Sequence, residues 1–387
     1  MKKSISGIIV YLLALHILIP GIYYMFNGFV PIYSSLVDIP AVIKCFFLIV
    51  TPLSLSLLIL YFLPNDHKIA PNIEGKPVTE LFYFSVLFKL AVFYYFGGFG
   101  AIISGQSTGT FSNYFSLFLS PFILLLVVLF VQKKRTNIVL AVLFYVVSIT
   151  LSGSRSGILA IVFVFLIGFS FQTFHAYKNR LYSFLKYGLL LAPLLFIFAT
   201  SIRGATDIID KSVLINQIVG RMSALETAMM PVHYFDNNLD LELFYDKYNF
   251  WNQFKLILDS IIPGQVFEYD VMPNNYYRAI FMGASKSFVM ENYMSVNITL
   301  PVYLYIKYSY LSVLFTIIYV LGFYKIVLLF KKSPLIIIVI LSVFYNVLYY
   351  FDWVMVFVQL YTGLLTVLCL KTYVFFRREV VVVLKKV

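Results

Sequence analysis

Ala41-Val42-Ile43-Lys44-Cys45-Phe46-Phe47-Leu48-Ile49-Val50-Thr51-Pro52-Leu53-Ser54-Leu55-Ser56-Leu57-Leu58-Ile59-Leu60-Tyr61-Phe62-Leu63 contains a single charge, Lys44, in an otherwise apolar stretch. At about 1.5 Å of rise per residue, a helix of this length crosses a hydrocarbon layer about 30 Å thick. Comparable runs recur near residues 5–25, 79–99, 113–131, 137–153, 157–174, 182–200, 301–330, 334–351 and 353–375. The chain therefore reads as an all-α, polytopic integral membrane protein with about ten transmembrane helices. Composition agrees, with 61% hydrophobic and only 12% charged residues, beyond the ~45–50% apolar usage of soluble domains.

A net charge of +12 in a soluble protein would suggest nucleic acid as a partner. Here the cations sort by topology instead, and no nucleic acid is expected. With the N-terminus inside, Lys68, Lys76, Lys133-Lys134-Arg135, Lys178, Arg180, Lys186 and Lys331-Lys332 fall in cytoplasmic loops, and Arg377-Arg378 and Lys385-Lys386 in a cytoplasmic tail. The short outer loops are nearly bare of Lys and Arg, and Gly97 to Asn113 carries no charge. This bias puts both termini inside. Residues 1–200 then hold seven helices, 201–300 form one large extracytoplasmic loop, and 301–387 hold three helices and the tail. Met1-Lys2-Lys3 and the apolar run behind it read as an uncleaved first span, since Ile19-Pro20-Gly21-Ile22 continues the run past any cleavage site. Cys45 and Cys369 fall near opposite faces of the membrane, too far apart for a disulfide.

Within the loop, Asp210 to Met230 is helix-like, with Val213, Leu214, Ile218, Met222, Leu225 and Met229 at roughly helical spacing and Pro231 ending or kinking the helix. Phe250 to Ile262 is amphipathic and stops at Pro263-Gly264. Tyr303, Tyr305, Tyr308 and Tyr310 read as an interfacial belt at the start of the eighth span.

The residues with chemistry to offer lie on the outer side. Arg155 stands in Ser152-Gly153-Ser154-Arg155-Ser156-Gly157, between two spans. A snorkelling anchor is the bland reading of such an arginine. Small hydroxylated neighbours, two glycines and the start of the next helix instead make a cradle for phosphate. Arg203 follows the seventh span in Ile202-Arg203-Gly204, and Arg221 sits in Gly220-Arg221-Met222. Each alone is a solvated charge; together, three guanidinium forks suit a pyrophosphate. Arg278 and Lys286 extend the positive surface. Glu226 and His233, seven apart, share a helix face if the helix survives Pro231, and either is a candidate general base. A solvated histidine past a helix end is an equally good reading of His233. No metal-ligand spacing, phosphate-binding loop or dinucleotide fingerprint occurs, so neither a metal nor a cofactor is expected. His16, His67 and His175 receive no role.

Leu151-Ser152-Gly153-Ser154-Arg155-Ser156-Gly157, the Arg203-Gly204 pair, Gly220-Arg221-Met222, Ile261-Ile262-Pro263 and the Tyr-rich return to the membrane resemble the Wzy-type oligosaccharide repeat-unit polymerases of O-antigen, capsule and exopolysaccharide pathways. The resemblance covers about residues 150–330. It implies an enzyme of the bacterial cytoplasmic (inner) membrane acting on undecaprenyl-diphosphate-linked glycans delivered by a flippase, without nucleotide sugars, alongside a chain-length regulator. Arg155, Arg203 and Arg221 would then hold the diphosphate, and Glu226 or His233 would deprotonate the acceptor hydroxyl. Tyr245, Tyr248, Trp251, Tyr276 and Tyr277 would stack on sugars. An O-antigen ligase is the nearest alternative, since it shares the donor and differs in the acceptor. A flippase or other transporter predicts short loops and buried mid-span charges, against the long polar loop seen here.

Overall fold

The structure, a computed structural model, describes residues 1–28, 37–64, 75–95, 118–132, 134–151, 167, 215–216, 219–220, 223–237, 250–261, 298–349, 351 and 353–384. Every element among them is helical. They are α1 (Lys2–Asn27), α2 (Ile39–Phe62), α3 (Gly75–Tyr95), α4 (Pro121–Val131), α5 (Arg135–Leu151), α6 (Ala224–Asp236), α7 (Phe250–Ile261), α8 (Leu300–Tyr308), α9 (Ser312–Leu329), α10 (Pro334–Tyr349) and α11 (Trp353–Leu384). Five stretches are long and apolar enough to cross a membrane: Lys2–Asn27, Ile39–Phe62, Gly75–Tyr95, Leu300–Leu329 and Val356–Arg377. Pro121–Val131, Thr136–Ile149 and Pro334–Tyr349 are apolar but shorter. The expected spans at 157–174 and 182–200 lie outside the described residues, apart from Ile167.

Local chemistry sets several helix limits. Asp38 caps α2, its carboxylate accepting from the Ala41 amide at 3.3 Å with Pro40 in the first turn, and Ser120 caps α4 ahead of Pro121. A π turn spans Leu13–Leu18 inside α1. Pro20 accounts for it, because in a regular helix its ring would collide with the His16 carbonyl four residues earlier. Third, α3 begins at Gly75, before the expected residue 79. Gln132, following α4, donates to the Gly75 carbonyl (3.1 Å) and to Thr79 Oγ1 (2.7 Å), holding the extra turn.

The helices pack as two groups. One gathers α2 with α1, α6, α8 and α9; the other gathers α4 with α3, α5 and α11. Helix α10 touches both, and α7 lies against α11. Every residue of α4 except Phe122 is buried, so this short helix forms the middle of its group. Glu80 on α3 accepts from Arg377 (2.9 Å) and Tyr373 (3.2 Å), both on α11.

Three expectations change. The helix expected over Asp210 to Met230 is interrupted at Ser223, whose backbone is extended (φ −72°, ψ 124°) and whose hydroxyl caps a new helix by accepting from the Leu225 amide. Pro231 does not end that helix, which continues to Asp236. Residues Leu225, Ala228, Met229 and Val232 are buried against neighbouring helices, and this packing outweighs the one hydrogen bond that Pro231 removes. Finally, the tyrosine belt divides. Tyr308 and Tyr310 are exposed, but Tyr303 and Tyr305 are buried in α8. The bend at Ser309 (φ 51°) lets α8 pack back on α9, bringing the Tyr308 and Phe315 rings to 4.6 Å.

Candidate functional site

Helix α6 brings ionisable side chains onto the ends of α1, α2 and α8. On α6, His233 and Asp236 are three residues apart and so share a face. On α2, Asp38 and Lys44 meet them. His233 Nδ1 contacts Asp38 Oδ2, and Lys44 Nζ donates to both carboxylate oxygens of Asp236 at 2.8 Å. The Tyr305 hydroxyl, from α8, donates to Asp236 Oδ1 at 2.9 Å. Lys44 Nζ also lies 4.7 Å from the Tyr305 ring centre and 5.5 Å from that of Tyr310, near enough for cation–π attraction. Tyr23 of α1 donates to Asn216, and the Asp38 amide points at Met229 Sδ, 3.4 Å away.

These groups are neither sealed nor loose. The side chains of Lys44 and Asp236 are 27% and 33% exposed, and those of His233 and Asp38 are 21% and 20% exposed. Such burial makes the pairs matter more than open surface pairs, while a solute can still reach them. Lys44→Met is therefore expected to cost about 1–3 kcal/mol, below the figure for a sealed ion pair, because water still reaches Asp236. Thermal unfolding in detergent reads this. Lys44→Met combined with Asp236→Leu should lose less than the sum of the two single changes, and simple additivity would show that the pair contributes nothing.

Of the sequence candidates, Glu226 and His233 are on one helix and one face, since α6 runs through Pro231. They differ in setting. Glu226 is 1% exposed, deep in the packed part of α6, whereas His233 is in the polar cluster at its end. Arg155, Arg203, Arg221, Arg278 and Lys286 lie outside the described residues, as do Tyr245, Tyr248, Tyr276 and Tyr277. Trp251 is two-thirds exposed on α7.

Sequence reading passed over Asp38, Lys44, Asp236 and Tyr305 as participants. One signal was present: a lysine inside an apolar run is costly unless something pairs with it. Its partner lies 192 positions away, beyond the reach of any local pattern.

A second polar cluster is interior. His16 is buried in the π turn of α1, its Nε2 3.0 Å from the Tyr345 hydroxyl and its ring 4.0 Å from that of Tyr349. Tyr11 packs edge-on against the same imidazole at 5.8 Å, five residues earlier, the spacing that a widened turn brings to one face. Among the described residues, no group of three or more His, Cys, Asp or Glu side chains is arranged to hold a metal ion. Comparison of the chain with protein-family models, with curated proteins and with solved structures gives no match.

Proposed function

We propose that this protein is a membrane glycosyltransferase that polymerises undecaprenyl-diphosphate-linked oligosaccharide repeat units at the outer face of the bacterial cytoplasmic membrane. The growing glycan leaves one lipid diphosphate and joins the nonreducing-end hydroxyl of the next unit. Arg155, Arg203 and Arg221, with Arg278 beside them, hold the diphosphate and stabilise the charge that develops as it leaves. Glu226 or His233 takes the proton of the acceptor hydroxyl. A flippase supplies the substrate, and a chain-length regulator is the natural protein partner.

The observation that carries this reading is the docking of α6, a helix from the long polar stretch, onto the membrane helices α2 and α8. Its imidazole and carboxylate stay partly open there. A loop that served only as a tether would have no need of buried contacts with the spans. In the orientation with both termini inside, this end of the bundle faces outward, as does Arg155.

Deleting the gene tests the proposal. Surface polysaccharide from the deletion strain is expected to run as single-unit material on a gel, with the full ladder returning when the wild-type gene is restored. Long polymer accumulating on the lipid carrier would instead mark a ligase. An unchanged ladder in the deletion strain would exclude both enzymes.

A further inference from the structure

We infer that His233, not Glu226, takes the proton from the acceptor hydroxyl, and that Asp38 is the residue that positions it. This rests on the polymerase reading above and assigns the base within it. Asp38 stands in the turn before the second helix, 195 residues from its partner, and nothing in its sequence surroundings marks it.

An ionised carboxylate only accepts, so the Asp38 Oδ2 contact, the closer of two at His233 Nδ1, puts the proton on Nδ1; the Asn237 amide nitrogen, 3.3 Å from the same atom, then donates to the His233 carbonyl instead. The neutral ring then carries its basic lone pair on Nε2. Asp38 is itself held from two directions. Its other oxygen caps α2 through the Ala41 amide, and its own amide is turned toward Met229 Sδ on α6. The imidazole is anchored along its backbone as well, since the Asn237 side-chain amide donates to the His233 carbonyl at 2.9 Å. A carboxylate locked this way fixes the ring plane and the tautomer, and with them the direction of Nε2.

Glu226 is shut away from an incoming acceptor. Its carboxyl is in the part of α6 that packs on other helices, at 1% exposure, closed to a sugar hydroxyl. His233 is about two turns further along, at the rim.

The step balances as follows. The acceptor O–H bond breaks and its proton passes to His233 Nε2. The oxygen's electron pair forms the new bond to the anomeric carbon. The bond from that carbon to the diphosphate oxygen breaks, and its electrons leave with the lipid diphosphate. The imidazolium that results is neutralised by Asp38 until it releases its proton to water.

The test uses full-length protein in liposomes, with lipid-linked repeat units extracted from the deletion strain as both donor and acceptor. Asn and Ser cap helices about as well as Asp, so Asp38→Asn and Asp38→Ser keep the start of α2 while removing the carboxylate from His233. Both are expected to lower kcat about 10²–10³-fold, within the range of general-base contributions. KM should stay within a few-fold and the thermal midpoint near that of the wild type. His233→Gln should fall at least as far. A wild-type kcat in Asp38→Asn and Asp38→Ser overturns the inference. So does an active His233→Gln beside an inactive Glu226→Gln, which gives the proton to Glu226. Wild-type protein that cannot lengthen the extracted unit overturns the polymerase reading itself, and the assignment with it.

Discussion

Arg155→Ala, expressed at the wild-type level in the deletion strain, is expected to leave single repeat units and no long-chain ladder. An arginine at a membrane junction is retained against a penalty that falls from roughly 2.5–3.5 kcal/mol at mid-depth to less at the surface. In the proposed reading, the small residues Ser152, Gly153, Ser154, Ser156 and Gly157 on either side of it are the sequence's provision for a bulky anion. If it stabilises the departing diphosphate, its loss should cost about 10²–10³ in rate, as with other fixed donors aimed at developing charge. Arg155→Lys should fall between the two, because it keeps the charge and loses the bidentate fork. Quantifying ladder length against protein level in the membrane decides the matter. A normal ladder in Arg155→Ala would reduce this residue to a helix anchor.

The second large effect is on stability. Gly363 of α11 faces Val339 of α10 so closely that a Cβ at this position would lie 2.4 Å from Val339 Cγ1 and 2.9 Å from Cγ2. Valine is stiff at χ1 and Val339 is fully buried, so neither group can turn aside cheaply. Small residues at such crossings are how membrane helices approach one another without a hydrophobic drive between them. Gly363→Ala is expected to cost about 1–3 kcal/mol as overpacking, after some return from better helix propensity. Gly363→Leu should separate α10 from α11 and lower the thermal midpoint much further. Val339→Ala should relieve the alanine variant, and the resulting double-mutant cycle measures the contact directly. An unchanged midpoint in Gly363→Leu would mean that the two helices do not meet here.

The runs that predicted spans near 41–63 and 353–375 coincide with long apolar helices, because twenty apolar residues in lipid have few ways to satisfy their backbone except as a helix. The amphipathic stretch from Phe250 is helical over Phe250–Ile261, and this helix lies against α11 with Leu256 and Gln253 buried. Where sequence reading erred, a distant partner had intervened. Pro231 is a helix breaker by local rules, yet it lies inside α6, whose buried face is held by α2 and α8. Tyr305 fits an interfacial belt by composition. It is buried instead, because Asp236 accepts its hydroxyl at a position where a tyrosine would otherwise leave a polar atom unmatched.

The candidate site divides along the same line. His233 was legible as an imidazole on a helix face, and Lys44 as a charge with no right to be in an apolar run without a partner. Neither Asp38 nor Asp236 could be chosen from among the acids of the chain, since a carboxylate carries no periodicity and its role depends on what reaches it.

What the sequence by itself determined is the class of object: a helical membrane protein, from run length and composition, which are properties of consecutive residues. Tertiary structure alone decided which charges meet. Asp38 with His233, Lys44 with Asp236 and Gly363 with Val339 are contacts between segments whose separation along the chain bears no relation to their separation in space. Such pairings follow from how helices settle against one another. That is fixed by side-chain shape and by the cost of leaving a charge unmatched, summed over the whole bundle.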